Sequence, residues 1–144
     1  MRILAVDLGK ARTGLAVCDE GELLASPGGV IQEYNRERLA AAVAAKAGEY
    51  RVGEIVVGLP RNMDGSEGES AQSARAFAEQ LRALIDVPVH MQDERGTTIT
   101  AHGYLNDTDT RGKKRKAVVD AVAATIILED YLMYRRNRKH LSNN

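Results

Sequence analysis

The chain has 144 residues, of which 44% are hydrophobic and 28% charged, which suits one compact domain and is too short for two ordinary ones. No apolar run approaches the roughly 20 residues that a membrane span needs, and the N-terminal segment lacks the long apolar region and cleavage site of a signal peptide. The single cysteine, Cys18, cannot form an internal disulfide, so we expect a protein of the reducing cytoplasm.

The net charge of zero conceals an uneven distribution of charge along the chain. Residues 111–144 carry nine basic and three acidic side chains, a net charge of +6, so residues 1–110 carry −6. A basic segment beside an acidic body is typical of a protein that binds a polyanion and has acidic groups elsewhere for metal. The alternative is a solvated basic tail. We expect a single domain over residues 1–136, followed by a disordered basic tail at 137–144.

The first part of the chain predicts three short strands with tight connections. Residues 2–8 form an apolar run that indicates a buried central strand. Residues 13–19 and 22–26 are two further strands, joined by a hairpin turn at Glu20–Gly21. The segment Pro27–Gly29 ends or bends the third strand.

The rest of the chain alternates helices with strands. The predicted elements, in order, are a helix capped by Asn35 and ending near Tyr50, a buried strand at Glu54–Leu59, a polar loop at Pro60–Ser70, a helix through Ala74 and Ile85, a strand from Pro88 to Glu94, a short helix from Thr97 or Thr98 to Leu105, and a last helix from near Lys114 to about Tyr134. Short links favour antiparallel neighbours, whereas helical crossovers favour parallel ones. The sequence therefore predicts an α/β fold with a mixed five-stranded sheet flanked by helices.

Asp7 is the first candidate for a functional role. It follows apolar strand residues, and strand alternation places it on the same face as Ile3 and Ala5. A partly desolvated carboxylate there is costly unless a cation or a donor compensates it. Arg12 lies nearby in sequence, and its guanidinium could grip a phosphate. The alternative is an aspartate that closes a local turn at the end of a strand.

The segment Asp93–Arg95 is the second candidate. Adjacent side chains of a strand point to opposite faces, so Asp93 and Glu94 are expected to have different roles. Parallel sheets place functional residues at the carboxyl ends of their strands, which is where this segment falls. The alternative is a charged connection with surface ion pairs.

Asp120 in the last predicted helix is the third candidate. Counting by three and four from it gives Ala123, Ala124, Ile127 and Tyr131, so it lies in line with the apolar stripe. The basic run 113–116 precedes it, and the positive end of a helix disfavours such a run unless an anion offsets it. Phosphate is the simple candidate, and a solubilising run is the alternative.

Three acids at the ends of separate elements point to divalent metal, because clustered carboxylates repel one another unless cations neutralise them. Oxygen ligands suit Mg²⁺ or Mn²⁺ rather than Zn²⁺. Two such ions, roughly 4 Å apart, can activate water and stabilise the leaving oxygen in phosphodiester hydrolysis. The loop after the fourth strand lacks a P-loop signature, but Arg61 could contact a nucleic-acid backbone.

Four motifs in this sequence resemble those of the YqgF family, also called RuvX, of pre-16S rRNA nucleases. They are DLGKARTGLAV (7–17), VVGLPRNMDGSEG (56–68), DERGTT (93–98) and KKRKAVVDAVAATIILEDYL (113–132). The resemblance spans essentially the whole chain in the right order. One departure is Gly96, which stands where the family usually has a bulky apolar residue.

The resemblance implies a ribonuclease H-like fold related to that of Holliday junction resolvases. It implies that Asp7, Glu94 and Asp120 are catalytic metal ligands, and that the protein matures the 5′ end of 16S rRNA in the bacterial cytoplasm. The predicted nucleic-acid contacts are Arg12, Arg61, Arg95, Lys113, Lys114, Arg115 and Lys116. We expect the partner to be structured RNA, branched DNA or a ribosomal precursor, and the protein to be a monomer or a homodimer.

Other functions remain open from the sequence. A Holliday junction resolvase would act as a dimer, since two symmetric cuts need two sites. A non-catalytic nucleic-acid adaptor would retain the fold, although retention of all three acids argues against it. A sugar-kinase-like phosphotransferase needs two such domains. The aromatic content of 4% predicts that backbone contacts, rather than base stacking, dominate recognition.

Overall fold

A computed structural model describes residues 1–93 and 112–142, with side chains for 1–93 and 122–138. The elements are β1 (Ile3–Asp7), β2 (Arg12–Cys18), β3 (Ala25–Gln32), α1 (Arg36–Tyr50), β4 (Glu54–Leu59), α2 (Glu69–Leu84), β5 (Val89–Asp93) and α3 (Gly112–Ser142). The predicted short helix from Thr97 or Thr98 lies outside the described residues. None of the described helices is long and apolar enough to cross a bilayer.

The five strands form one mixed sheet in the order β3-β2-β1-β4-β5. β1 pairs antiparallel with β2, and β2 with β3, whereas β4 is parallel to both β1 and β5. This confirms the predicted mixed five-stranded sheet. Because of this topology, β1, β3, β4 and β5 all end, and β2 begins, at one edge of the sheet. We call it the Asp7 edge.

The third strand differs from its prediction. The hairpin turn does lie at Glu20–Gly21, but the Asp19 carboxylate accepts hydrogen bonds from the backbone N–H groups of Leu23 and Leu24, at 2.8 and 3.0 Å. These bonds hold residues 22–24 in the loop, so β3 begins at Ala25. It then continues through Pro27–Gly29, because an edge strand tolerates a proline and a bulge.

The last helix is longer than its prediction. It ends at Ser142 rather than near Tyr134, and so includes most of the segment for which the sequence predicts a disordered tail. No glycine or proline interrupts residues 135–142, and arginine, lysine and leucine are good helix formers. The side chain of Arg135 is also fixed to the body of the protein, as described below.

The core consists of two apolar layers, one on each face of the sheet. On one face, α1 and α2 pack against alternate strand residues such as Leu4, Val6 and Val57. On the other face, α3 packs against Ile3, Ala5 and Val56 through Ala124, Ile127, Leu128, Tyr131 and Leu132. Since side chains alternate along β1, Asp7 continues the row of Ile3 and Ala5 on the α3 face.

A buried carboxylate fixes α3 to the end of the sheet opposite the Asp7 edge. Glu54, the first residue of β4, is 5% exposed. Its Oε1 accepts a hydrogen bond from the Tyr131 hydroxyl at 2.9 Å and lies 2.5 Å from His90 Nε2, while its Oε2 accepts one from Arg135 Nη1 at 3.0 Å. Each oxygen is therefore satisfied, which offsets the cost of burying a charge.

Arg135 extends this network to the hairpin between β2 and β3. Its Nε donates to Glu22 Oε1 at 2.6 Å, and the other oxygen of Glu22 lies 3.5 Å from the Met1 amino group. The guanidinium thus bridges one carboxylate from the β2–β3 hairpin loop and one from the start of β4. We call Glu22, Glu54, His90, Tyr131 and Arg135 the Glu54 network.

Replacing Leu128 by alanine should lower the free energy of unfolding by about 2–5 kcal/mol, because this fully buried side chain fills the layer between α3 and the sheet. Met133→Ala on the same helix removes a side chain that is 55% exposed, and should change stability by no more than about 0.5 kcal/mol. Urea unfolding of both variants measures the difference. Equal losses would contradict the packing of α3 described here.

The Glu54 network should make stability depend on pH in the alkaline range. Burial and the neighbouring Glu54 carboxylate raise the pKa of Tyr131 to about 12, above the value of about 10 expected for the unfolded chain. Between these values the unfolded chain has lost the phenolic proton and the folded protein retains it, so rising pH favours unfolding. The contribution is fully present below about pH 10.

The measurement is the free energy of unfolding of wild type and Tyr131→Phe at pH 8 and at pH 11.5. The variant should be less stable at pH 8 by about 1–3 kcal/mol, because Glu54 loses a donor, and this gap should narrow at pH 11.5. The control is Tyr134→Phe, at a tyrosine that is 51% exposed. It should cost less stability at pH 8 than Tyr131→Phe, because its hydroxyl contacts Arg138 at the surface and not the buried Glu54. A gap that widens at high pH would exclude the proposed contribution of Tyr131.

Candidate active site

Asp7 ends the central strand of the sheet and is half-buried at the Asp7 edge. Its backbone is held between neighbours on both sides, with Asp7 opposite Gly14 of β2 and the preceding residue opposite Val57 of β4. The carboxylate therefore projects from a strand that is hydrogen-bonded to a neighbour on each side, on the face that α3 covers. A group with so little backbone freedom can be placed accurately for catalysis or for metal binding.

The loop between β1 and β2 turns tightly beside Asp7. A Cβ on Gly9 would lie 2.0 Å from the backbone oxygen of Arg12, so only glycine permits this close approach. The Gly9 carbonyl accepts a hydrogen bond from Arg36 Nη1 of α1 at 2.8 Å, and its N–H donates to Thr13 Oγ1 at 3.5 Å. The first residue of α1 thus holds the loop in place, a role that the sequence analysis did not predict for Arg36.

Arg12, a predicted phosphate contact, is the first residue of β2 and lies at the Asp7 edge. It pairs with Gln32, the last residue of β3. Both side chains line a cavity of about 460 Å³, together with Ala11, Glu33 and Tyr34. The structure therefore places a cation at the same edge of the sheet as Asp7, next to open space.

Asp93 and Arg61 form an ion pair at the ends of the parallel strands. Asp93 lies opposite Leu59, whose side chain belongs to the layer under α1 and α2, so strand alternation places Asp93 on the face away from α3. Its Oδ2 is 3.9 Å from Arg61 Nη1, and Arg61 Nη2 is 3.4 Å from Glu67 Oε2. Arg61 is thus engaged with carboxylates, and its contact with nucleic acid stays a prediction.

Glu67 and Arg75 complete this second cluster. The Arg75 guanidinium donates to both oxygens of Glu67, at 2.7 and 2.8 Å, and this hydrogen bonding lowers the pKa of the Glu67 carboxyl below its usual range. Neither residue was predicted from the sequence. Their spacing gave no signal because the pair joins the loop before α2 to the second turn of that helix.

The other predicted ligands are described only in part. Asp120 lies in α3, one helical turn before Ala124, which packs against the sheet in the same layer as Ile3 and Ala5. Its side chain lies outside the described residues, as do those of the basic run 113–116 at the start of the helix. Glu94 and Arg95 lie wholly outside them. Among the described side chains, no three potential metal ligands converge.

Asp7, the one predicted metal ligand whose side chain is described, is a suitable ligand for a hard divalent cation. Asp7 supplies oxygen donors, which Mg²⁺ and Mn²⁺ prefer, and among the described residues neither a histidine nor a cysteine lies at the Asp7 edge. Cys18 and His90, both on the α3 face, lie elsewhere: the Cys18 thiol is buried beside Ile3, and His90 belongs to the Glu54 network. A zinc centre therefore has no support in the part of the chain that the structure describes.

A sequence model of the family described as "RuvX: Holliday junction resolvase" matches residues 1–134. The chain belongs to the RuvX family. A relative from Anaeromyxobacter sp. (strain Fw109-5), named "Putative pre-16S rRNA nuclease", is 46% identical over 92% of this chain and 96% of its own. A relative of the same name from Halothermothrix orenii is 41% identical over 97% of this RuvX chain and 99% of its own.

Solved structures share the fold of this RuvX protein. RuvC of T. thermophilus in complex with a Holliday junction substrate superposes with a TM-score of 0.55 at 18% identity, over 94% of this chain and 96% of that one. The fowlpox virus Holliday junction resolvase gives a TM-score of 0.56 at 13% identity, over 93% and 99%. The predicted ribonuclease H-like fold is therefore confirmed.

Gly9→Ala should lower the free energy of unfolding by about 1–3 kcal/mol, because the new methyl group forces the backbone of Arg12 to move. The matched control is Gly48→Ala in α1, where an added Cβ meets no atom within 4 Å and where alanine favours the helix by up to about 1 kcal/mol. Urea unfolding of the two variants is the measurement. A Gly9→Ala variant as stable as wild type would show that the loop can relax without cost.

Proposed function

We propose that this protein is a divalent-metal-dependent nuclease that hydrolyses phosphodiester bonds and processes the 5′ end of pre-16S rRNA in the bacterial cytoplasm. The observation that carries the proposal is the position of Asp7. It ends the central strand on the face that α3 covers, and α3 is the helix that contains Asp120. The names of the family's relatives support rRNA as the substrate.

Asp7, Glu94 and Asp120 would hold the metal. The position of Asp7 at the end of β1 is described, and Asp120 lies in α3. Glu94 is proposed from the sequence alone, as the residue that follows β5. Two Mg²⁺ or Mn²⁺ ions, when bound, supply a nucleophile from water and stabilise the leaving oxygen. The protein's part is to hold the carboxylates on rigid elements, so that little reorganisation is needed during the reaction.

The substrate is a polyanion, and the cations of this chain position it. Arg12 lies at the Asp7 edge beside a cavity, and a guanidinium can bind a phosphate through two parallel hydrogen bonds. Arg95 and the run Lys113–Lys116 are further predicted phosphate contacts, and they are proposed from the sequence alone. Such contacts fix the register of the strand and carry no base information.

A Holliday junction resolvase is the second candidate function. The fold shared with RuvC and with the fowlpox virus resolvase favours it, but a shared fold does not settle the substrate. Cutting both strands of a junction symmetrically requires two active sites, and hence a dimer. A non-catalytic adaptor is the third candidate.

The decisive experiment compares wild type with Asp7→Asn on two end-labelled substrates, a precursor of 16S rRNA and a four-way DNA junction. Each is incubated with Mg²⁺, Mn²⁺ or chelator. We expect metal-dependent cleavage of the RNA, and at least about a hundredfold loss of the cleavage rate in the variant, because one ligand loses its charge. Binding of the RNA should remain, since phosphate contacts come from other residues.

The control variant is Asp86→Asn, which changes an exposed aspartate in the turn before β5, at the opposite edge of the sheet. It should cleave like wild type, which would show that the loss of cleavage in Asp7→Asn is specific to that position. Faster cleavage of the junction than of the RNA would favour a resolvase. Binding without cleavage of either substrate by the wild type would favour an adaptor.

A further inference from the structure

The cavity beside Arg12 is formed where two connections meet at the Asp7 edge. Its described walls are Ala11 and Arg12 from the start of β2, and Gln32, Glu33 and Tyr34 from the end of β3. Its volume of about 460 Å³ falls within the range of small-molecule sites. β3 lies two strands away from β1, so the cavity is roughly 10 Å from the strand that ends at Asp7.

Tyr34 presents an aromatic ring at this cavity. The side chain is 78% exposed, the highest value among the large hydrophobic side chains in the part of the chain described here. An exposed tyrosine on a random loop would mean little, because single exposed apolar residues are common. Tyr34 differs in that the turn which carries it is fixed on both sides.

Three hydrogen bonds hold the turn from Glu33 to Asn35. The Glu33 N–H donates to the Ala11 carbonyl at 2.9 Å, and Glu33 Oε2 accepts from the Asn35 N–H at 3.1 Å. Asn35 then caps α1, accepting from the Arg38 N–H at 2.9 Å. The Tyr34 ring therefore projects from an ordered support, so that binding a flat partner costs little conformational entropy.

The charges around the cavity define how a ligand would be oriented. Arg12 lines one side of the cavity. Lys10, which directly follows Gly9 in the same loop, is exposed nearby in the sequence. Glu33 lines the other side, next to Tyr34. A phosphate would be attracted to the basic side and repelled by the Glu33 carboxylate. A nucleobase could donate an N–H hydrogen bond to that carboxylate and stack its face on the Tyr34 ring.

We propose that this cavity binds one nucleobase of the substrate strand, stacked on Tyr34, with the adjoining phosphate on Arg12. The site would hold a nucleotide flanking the cleaved bond and thereby fix the position of the strand relative to Asp7. The inference rests on the proposed nuclease function, which supplies the strand. It adds one base contact to a chain whose low aromatic content predicts that backbone contacts dominate recognition.

The test measures binding of a fluorescently labelled single-stranded RNA of about 12 nucleotides, in chelator so that no cleavage occurs. Tyr34→Ala should weaken binding about 5- to 100-fold, the range found when a stacking ring is removed, while Tyr34→Phe should bind like wild type. Tyr134→Ala is the matched control, since Tyr134 is exposed on α3 near the Glu54 network, at the opposite edge. It should leave binding unchanged.

A second arm separates stacking from a general effect on the protein. A set of the same RNA, each with one abasic nucleotide, is bound to wild type and to Tyr34→Ala. At one position the missing base should weaken binding to wild type and have little further effect on the variant, because both changes remove the same contact. The matching DNA tells whether the site also accepts a deoxyribose backbone, and Tyr34-dependent binding of either strand supports it.

The inference and the proposed function fail in different ways. Metal-dependent cleavage by wild type, with binding that is the same in Tyr34→Ala, would overturn the inference and leave the nuclease function standing. Abasic nucleotides that weaken RNA binding equally in wild type and in Tyr34→Ala would overturn the inference as well. Tyr34-dependent binding without any Asp7-dependent cleavage would support the base site and overturn the nuclease. A wild type that binds neither strand would overturn the base site, and only the absence of metal-dependent cleavage of the precursor would overturn the nuclease function.

Discussion

The burial of the Glu54 carboxylate is the constraint on which the arrangement of α3 depends. A charge that is 5% exposed must be fully hydrogen-bonded, and its described partners come from β5 and from α3. Tyr131 and Arg135 can both reach Glu54 only when α3 has one position along its axis and one rotation about that axis. Because a helix is stiff, fixing its far half against the sheet also fixes the course of the half that contains Asp120. The Glu54 network thus helps to position the helix that contributes Asp120 to the chemistry proposed at the Asp7 edge.

At the Asp7 edge, position is set by close backbone contacts rather than by charge. The missing side chain of Gly9 lets the loop fold back on Arg12, and Arg36 ties that loop to α1. The same loop meets the turn that carries Tyr34, through the bond from Glu33 to Ala11. The carboxylate, the cation and the aromatic ring therefore lie on one connected support. Sites built on such a support hold their geometry better than sites on isolated loops.

Much of the fold could be predicted because local signals agreed with the final structure. The Asn35 cap and the buried run Glu54–Leu59 were both found at their predicted places, since each depends on short-range pattern alone. β3 was predicted too early, because the side chain of Asp19 competes for the backbone of residues 23 and 24.

The candidate site was predictable in a different way. The sequence marked Asp7 as an acid at the end of a strand and Arg12 as a cation in the connection that follows, and alternation predicted that Asp93 and Glu94 point to opposite faces. The Glu54 network was not visible, because its five members come from distant parts of the chain and none has an unusual neighbour in sequence. Tyr34 was missed for a related reason: composition counts aromatic residues but does not say which of them is held rigidly at an edge.

The irregular course of β3 has a consequence for assembly. An edge strand with free N–H and C=O groups is a natural place for a second sheet to join. In β3, Pro27 has no N–H to offer, and the bulge beside it breaks the regular spacing of the others. Two copies of this protein could not extend one continuous sheet across β3. A pair of active sites, if junction DNA required one, would have to be brought together through a part of the surface other than β3.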